Sequence, residues 1–440
     1  METADFLLAI AFEILVFSFR PLLRELRNPS PGGAVLITSM SFLAGASLLV
    51  AREGTTYEVE ILRICCVFLP FFLFGYFGSA KFLGLMLQIP AGELQRIGED
   101  RTTETKYWVF FLVVLSLVLA AVYVSGTDRI LAGLYSFIFL GDTGVSIMEL
   151  RLGFSTGEEG YSAPGYIKQF RDILLPLSAF FVLFAVRRSD ARMLLTFAVI
   201  VPVVALLMIS SGERGPVVLF LLGVTYSALL SVRVGIASQR AILVPLLITF
   251  AVGAAAFSAL TSTYTNRNYE DSSVGGIFLD RIVTTVPAEN GASYYIWAGG
   301  GAYIGEGWLS ELGSILPGKR VVLSNVLHEE LGGGDKGNSV LGMWADVFFN
   351  FGWAFGIVAS FFIGVFFAFY GHWVNSQYLR SPATAVCGLW ISLTMLNVYS
   401  PFGFVLYGPF ILTAILFGLS RWARIRTESN RVLDAAATDA

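Results

Sequence analysis

Long apolar stretches recur along almost the whole chain, and they decide what kind of fold it can adopt. Runs of about 18–22 predominantly apolar residues have the length that an α-helix needs to cross roughly 30 Å of hydrocarbon. Hydrophobic residues make up 55% of the 440 residues and charged residues only 14%, whereas soluble domains carry about 25% charged residues. The sequence therefore predicts an integral membrane protein, because the chain has too little polar surface for a soluble domain.

The apolar runs predict an all-α polytopic fold with about eleven membrane-spanning helices. The predicted spans are 3–20, 33–51, 61–79, 107–125, 172–187, 193–210, 215–232, 241–261, 341–371, 383–399 and 403–421. The ninth run is longer than a bilayer requires, so we expect it to be tilted or to extend past the membrane. Residues 1–421 are predicted to form a single transmembrane domain, and residues 422–440 a disordered tail.

Lysine and arginine are concentrated in one set of alternate connections, which the positive-inside rule assigns to the cytoplasm. This set includes the connection with Arg20, Arg24 and Arg27 and the basic C-terminal tail. The N-terminus is then predicted outside and the C-terminus inside, and the two longest connections, 126–171 and 262–340, lie on the outer face. The predicted cytoplasmic connections are short and contain no P-loop or dinucleotide-binding fingerprint, so we expect external chemistry that does not use a nucleotide.

Composition also excludes several classes of function. The formal net charge is −3, so there is no strongly basic surface for nucleic acid. The three cysteines lie inside apolar runs, and the two histidines, His328 and His372, are far apart in the sequence. We therefore predict no disulfide framework, no metal site and no cofactor.

One predicted outer turn, residues 210–216, has the composition of an anion site. Gly212 and Gly215 allow a tight bend, and Pro216 suits the first turn of the following helix. Arg214 would then stand beside unpaired backbone N–H groups at a helix N-terminus, where phosphate is a natural ligand. The alternative is an arginine that holds the helix to lipid headgroups.

The two long outer connections hold further candidate cations. Arg151 and Arg171 lie among aromatic and glycine residues before the fifth predicted helix, and Arg281 lies early in the second long connection. Lys319 and Arg320 are adjacent, and two neighbouring cations can bind a diphosphate. The alternative for all of these is a solvated charge, a headgroup contact or a structural role in the loop.

Four residues of the second long connection are candidates for taking a proton from an attacking hydroxyl: Glu289, His328, Glu329 and Glu330. Asp346 is predicted about two turns into the ninth helix, with Ser339 as the helix N-cap. A buried acid there requires a partner, so the alternative role is a pairing with an arginine that holds the fold; the same alternative applies to Glu13 in the first helix.

Aromatic residues are frequent in the connection 262–340, among them Tyr294, Trp297 and Trp308. Rings of this kind stack on the apolar C–H faces of sugars. They are equally typical of the aromatic belt at a membrane interface. The aromatic composition therefore leaves both interpretations open.

The order of these features resembles the Wzy-type O-antigen and oligosaccharide repeat-unit polymerases, with a particular likeness to the enterobacterial common antigen polymerase branch. The likeness covers roughly residues 145–420 and includes a Gly-x-Arg turn between two helices, here Gly212-Glu213-Arg214. Three stretches carry it: Arg151 through the fifth predicted helix, with Pro164-Gly165-Tyr166 and Leu174-Leu175-Pro176; the turn Ile209–Pro216; and the loop with Asp280-Arg281, Pro287-Ala288-Glu289-Asn290 and Leu316-Pro317-Gly318-Lys319-Arg320, which runs on into Gly337-Asn338-Ser339 and Phe348-Phe349-Asn350-Phe351-Gly352.

The resemblance implies a GT-C-like helical architecture with a large outer loop before the last three helices, in the bacterial cytoplasmic (inner) membrane. Its substrates would be oligosaccharides on undecaprenyl diphosphate, and a chain-length regulator would be a partner besides membrane lipids. The diphosphate-binding candidates are then Arg214 first, Arg281 and Arg151 next, and Arg320 after them, with Lys319 and Arg171 in support. For the general base that such a reaction requires, Glu289, His328 and Asp346 are equal candidates.

Two other functions stay open at the level of sequence. A ligase that transfers lipid-linked glycan to an acceptor has a similar architecture and is expected to place a histidine in its large outer loop, where His328 lies. A transporter of lipid-linked sugars is expected to show internal repeats and charges along a central path. The sequence shows no repeat, and its charges cluster toward one face.

Overall fold

The computed structural model describes residues 2–27, 30–52, 56–85, 286–298, 306–311, 323–332, 339 and 341–378, with isolated residues elsewhere. The regular elements in these ranges are all helices. The helices are α1 (Glu2–Arg27), α2 (Pro31–Arg52), α3 (Thr56–Phe82), α4 (Val286–Ala298), α5 (Glu306–Glu311), α6 (Leu323–Glu330) and α7 (Met343–Tyr378).

Four of these helices are long and apolar enough to cross a membrane: Thr3–Arg24, Gly32–Arg52, Thr56–Phe82 and Met343–Gln377. They confirm the predicted spans 3–20, 33–51 and 61–79 and the helical character of 341–371. The other seven predicted spans lie outside the described ranges, so the count of eleven and the GT-C-like class stay predictions.

The chain divides into two compact units, and the contacts discussed below lie within the first, which includes Met1–Gln88 and Thr265–Asn375. The prediction of one membrane domain over residues 1–421 stays a prediction. Within the first unit, α1, α2 and α3 pack against one another, and α4 packs on α2, α3 and α6. The three helices of the N-terminal region therefore form the support on which α4 rests.

The start of α2 shows how local sequence sets a helix boundary. Ser30 is buried, and its hydroxyl oxygen accepts a hydrogen bond from the Gly33 N–H at 3.0 Å. Its carbonyl oxygen accepts from the Ala34 N–H at 2.9 Å. Pro31 follows at the first helical position, where a missing N–H costs nothing. Ser30 therefore caps α2 immediately after the short link from α1.

Small residues allow α3 and α7 to approach closely. A Cβ at Gly75 would collide with the backbone carbonyl of Phe361, and a Cβ at Gly364 would collide with that of Phe72. A Cβ at Gly356 would meet the ring of Phe68. Close backbone approach at glycine is a common way for membrane helices to associate, because lipid offers little hydrophobic driving force between them.

The predicted ninth span is not one continuous helix. Gly352 has φ 58° and ψ −157°, which interrupts the helical backbone inside α7. This region of backbone space is accessible almost only to glycine. A Cβ at Gly352 would also lie 2.5 Å from Cζ2 of Trp297. The prediction of an unbroken run over 341–371 is therefore corrected: α7 consists of a half-helix, residues 343–351, and a longer helix, residues 353–378.

The half-helix does not continue the direction of the longer helix. The ring of Trp344 contacts that of Phe72 with centroids 5.4 Å apart, and Phe348 contacts Phe68 at 6.3 Å. The half-helix therefore runs antiparallel to α3. Beyond the kink, Gly356 contacts Phe68 and Phe361 contacts Gly75, so the longer helix runs parallel to α3. The chain therefore reverses its course relative to α3 at the kink.

Two minor predictions have clear outcomes. Cys65 and Cys66 are buried in α3, as predicted for packed thiols. Glu13 lies on the exposed side of α1 and not in the interior of the described helices. Cys387 lies outside the described ranges.

Candidate functional site

The described residues of the long connection predicted over 262–340 include three short helices, α4, α5 and α6. Each of them is hydrogen-bonded to the half-helix or to the residues immediately before it. The half-helix therefore organises what the sequence presents as one long loop. The candidate site is built from these contacts.

Asp346 is the most deeply buried acid of the site, with 2% of its surface exposed. It lies in the first turn of α7, and its N–H donates to the Gly342 carbonyl at 3.0 Å. The prediction that it lies two turns into the helix is therefore corrected. Trp308 Nε1 donates to Asp346 Oδ2 at 2.7 Å, and Asn350 Nδ2 donates to Oδ1 at 3.4 Å. These donors compensate the cost of burying a carboxylate.

Helix α5 is seated on the half-helix by its tryptophan. The Trp308 backbone N–H donates to Asn350 Oδ1 at 3.0 Å. The Trp308 ring meets Phe351 edge-on, with centroids 4.7 Å apart and planes at 86°. A Cβ at Gly307 would lie 2.7 Å from Asn350 Oδ1, so alanine there would displace the Asn350 side chain. Asn350 thus binds α5 through its oxygen and α7 through its nitrogen.

Helix α4 contacts the residue that precedes the half-helix. The Gly342 N–H donates to Asn290 Oδ1 at 2.7 Å, and Asn290 is fully buried. Glu289, the neighbouring residue, lies half-buried in the first turn of α4. Glu289, a candidate base, is therefore adjacent in sequence to the residue that binds the start of α7.

Helix α6 places His328 beside Ser339. The two side chains are 3.5 Å apart between Nδ1 and Oγ. The Ser339 N–H donates to the Ser324 carbonyl at 3.1 Å, so Ser339 is bound to α6. The prediction of Ser339 as the N-cap is corrected, because α7 begins four residues later at Met343.

Several aromatic residues of α4 pack against α7. Tyr294 and Trp297 lie 6.0 Å and 5.2 Å from the ring of Phe348, between centroids. Trp353, just after the kink, lies 4.9 Å from the same ring. These rings fill the space between α4 and α7. Tyr294 and Trp297 therefore pack α4 against α7. This packing role differs from both predicted roles, sugar stacking and an interfacial aromatic belt.

The structure brings Glu289, His328 and Asp346 onto three segments that meet around residues 339–346. The predicted diphosphate-binding residues all lie outside the described ranges: Arg151, Arg171, Arg214, Arg281, Lys319 and Arg320. Within the described ranges, no group of three or more histidine, cysteine or acidic side chains has the arrangement of a metal site.

Trp308 and Asn350 are the site residues whose roles sequence reasoning missed. Asn350 follows Asp346 by four residues, a spacing that places both on one helix face and that pointed to a shared partner. Trp308 precedes Asp346 by 38 residues, and no local pattern links them. The tryptophan had only the general character of an interfacial aromatic.

Comparison with known proteins adds no relative: no family model, no curated protein and no solved structure matches the chain. The described part defines a class, an all-helical membrane protein with a broken helix that carries a buried carboxylate.

Proposed function

We propose that this protein is a polysaccharide polymerase, a glycosyltransferase that joins undecaprenyl-diphosphate-linked oligosaccharide repeat units on the outer face of the bacterial cytoplasmic membrane. The observation that carries the proposal is the buried Asp346 at the start of a half-helix, bonded to Trp308 and Asn350. Ionisable residues inside membrane helices are costly and commonly mark functional regions.

The depth of the half-helix supports a functional region around Asp346, in which Asp346 holds the fold and neighbouring residues act on the substrate. Broken helices place backbone polar groups at membrane depth only where protein or water surrounds them. Phe42, which contacts Gly342, lies ten residues before the end of α2 at Arg52, about 15 Å along the helix axis. Gly342, at the start of the half-helix, thus lies well below the end of α2.

The proposed reaction needs no nucleotide. A hydroxyl of the acceptor repeat unit attacks the anomeric carbon of the donor and forms the new glycosidic bond. The bond from that carbon to the diphosphate oxygen breaks, and the proton of the hydroxyl passes to a base. Negative charge grows on the departing diphosphate, where preorganised arginines stabilise it.

The cations proposed for that role are the sequence candidates. Arg214 comes first, because a helix N-terminus would add its dipole to the guanidinium. Arg281 and Arg151 follow, then Arg320. Lys319 and Arg171 complete the set.

Among the three candidate bases we favour Glu289. Its side chain is half-buried, so a substrate hydroxyl can approach it. Asp346 is almost completely buried and accepts hydrogen bonds from Trp308 and Asn350. We therefore assign Asp346 the role of holding α5 on the half-helix, and His328 remains the second candidate for the base.

The test is polymerisation by the purified protein in lipid nanodiscs supplied with undecaprenyl-diphosphate-linked repeat units, with products separated by size on a gel. The wild-type protein is expected to give a ladder, and Arg214→Ala is expected to give single repeats only. Arg24→Ala is the matched control, because Arg24 is exposed at the end of α1 that is predicted to be cytoplasmic. This control is expected to keep the ladder.

The other outcomes separate the competing functions. Transfer of single repeats to an added lipid or protein acceptor, without elongation, would identify a ligase. Movement of the lipid-linked repeat across the bilayer of a vesicle, with no new glycosidic bond, would identify a transporter. An absent wild-type ladder under conditions where the protein is folded would overturn the proposal.

A further inference from the structure

We propose that Asn290 is a positioning residue that sets the orientation of Glu289 against the start of the half-helix. The inference rests on the proposed function, in which Glu289 takes the proton of the acceptor hydroxyl. Asn290 is fully buried and directly follows Glu289 in the first turns of α4. The large majority of buried polar side chains in proteins are hydrogen-bonded.

Asn290 is hydrogen-bonded both to the start of α7 and within α4. Its Oδ1 accepts from the Gly342 N–H at 2.7 Å, a contact between residues 52 apart in sequence. Its backbone carbonyl accepts from the Ser293 hydroxyl at 2.6 Å. The first bond joins α4 to the start of α7, and the second stiffens the turn of α4 that carries Glu289.

A close backbone contact fixes α4 from the other side. A Cβ at Gly291 would collide with the backbone carbonyl of Tyr57 in the first turn of α3. The rings of Tyr57 and Tyr295 also meet edge-on, with centroids 4.8 Å apart. Two consecutive residues of α4 thus fix the helix: Asn290 contacts the start of α7, and Gly291 contacts α3. Glu289 directly precedes them.

This arrangement gives the structural role to Asn290 and the catalytic role to Glu289. Adjacent residues of a helix project about 100° apart, so Asn290 can bind the protein while Glu289 faces a different direction. A displacement of about 1 Å in a reacting group can lower a rate by about 100-fold. Loss of the Asn290–Gly342 bond is therefore expected to slow the reaction by moving Glu289, with little effect on substrate affinity.

The experiment is a double-mutant cycle on the purified protein in nanodiscs, with kcat and KM measured for the lipid-linked repeat unit. Asn290→Ala is expected to lower kcat by about 10- to 100-fold with KM within about twofold. Glu289→Gln is expected to lower kcat by about 100-fold or more. The double variant is expected to match Glu289→Gln within about twofold, because Asn290 acts only through Glu289. Asn325→Ala, at an exposed asparagine of α6, is the control.

A further loss from Asn290→Ala in the Glu289→Gln background would overturn the inference, as would an unchanged kcat in the single variant. If Asn290→Ala fails to fold, Ser293→Ala removes the other hydrogen bond described for Asn290 and is expected to lower kcat by about three- to tenfold, again only when Glu289 is present. An unchanged kcat in Ser293→Ala would then count against the inference. A wild-type protein that forms no glycosidic bond would refute the proposed function instead.

Discussion

Trp308 Nε1 donates a 2.7 Å hydrogen bond to Asp346 Oδ2, and this bond joins a six-residue helix of the long connection to the start of a broken membrane helix. The same tryptophan donates its backbone N–H to Asn350, one turn further along the half-helix. Two donors of one residue thus bind two acceptors on one helix face. Short helices such as α5 are marginal alone, so this contact determines where α5 lies.

Replacing Trp308 with phenylalanine is expected to destabilise the protein by about 1–3 kcal/mol, because a buried carboxylate oxygen loses its donor while the ring still packs on Phe351. The matched control is Trp344→Phe. Among the described residues, Trp344 Nε1 is buried without a hydrogen-bond partner. Thermal unfolding in detergent should show a lower melting temperature for Trp308→Phe than for Trp344→Phe, and equal losses would contradict the role of the bond.

Substitutions of Asp346 distinguish a structural role, in which it binds α5 to the half-helix, from a catalytic role. Asp346→Asn keeps an oxygen that can accept from Trp308, so transfer activity is expected to stay within about threefold of wild type. Asp346→Leu removes the acceptor and is expected to lose both stability and activity. A loss of about 100-fold or more in a well-folded Asp346→Asn protein would instead make Asp346 the general base. The measurement is the initial rate of ladder formation, with a melting curve for each variant.

Gly352→Ala is expected to destabilise the kink, because its backbone conformation costs about 1–3 kcal/mol for a residue with a Cβ and Trp297 occupies the space that the Cβ needs. Gly84→Ala separates the two effects: Gly84 also has positive φ, at 60°, but a Cβ there would meet nothing within 4 Å. The unfolding free energy should fall more for Gly352→Ala than for Gly84→Ala. The reverse order would show that contact with Trp297 is not limiting.

Gly75→Ala is expected to disrupt the packing of α3 on α7, because the new methyl group would meet the Phe361 carbonyl in an inflexible backbone. Gly78→Ala is the control on the same helix, where a Cβ has open space. Helix propensity alone makes alanine favourable at both positions. A reduced yield of monodisperse protein for Gly75→Ala, with normal yield for Gly78→Ala, is the expected result in size-exclusion chromatography.

The sequence was a good guide to the long helices of the described part. Apolar runs of sufficient length can satisfy all backbone hydrogen bonds only as helices in a membrane, so 3–20, 33–51 and 61–79 were predictable from hydrophobicity. The break at Gly352 was not, because Phe351-Gly352-Trp353 has the apolar character of an uninterrupted span. Glycine is common in membrane helices, so its presence alone does not signal a kink.

The candidate site was predictable only in part. Glu289, His328 and Asp346 were chosen for their chemistry, and their segments do meet around residues 339–346. The contacts that fix these segments join residues far apart in the sequence: Trp308 bonds Asp346 across 38 residues, and Asn290, next to Glu289, bonds Gly342 across 52. Such contacts depend on how the chain is folded back, which local periodicity does not encode.

The kink also separates the part of α7 that can cross a membrane from the part that carries the polar cluster. The helix after Gly352 has about 26 residues, or roughly 39 Å at 1.5 Å per residue, which exceeds the roughly 30 Å of a bilayer core. It can therefore cross alone, and the half-helix adds nothing to the number of crossings. A change of length within residues 343–351 would therefore reshape the polar cluster without inverting any segment that follows.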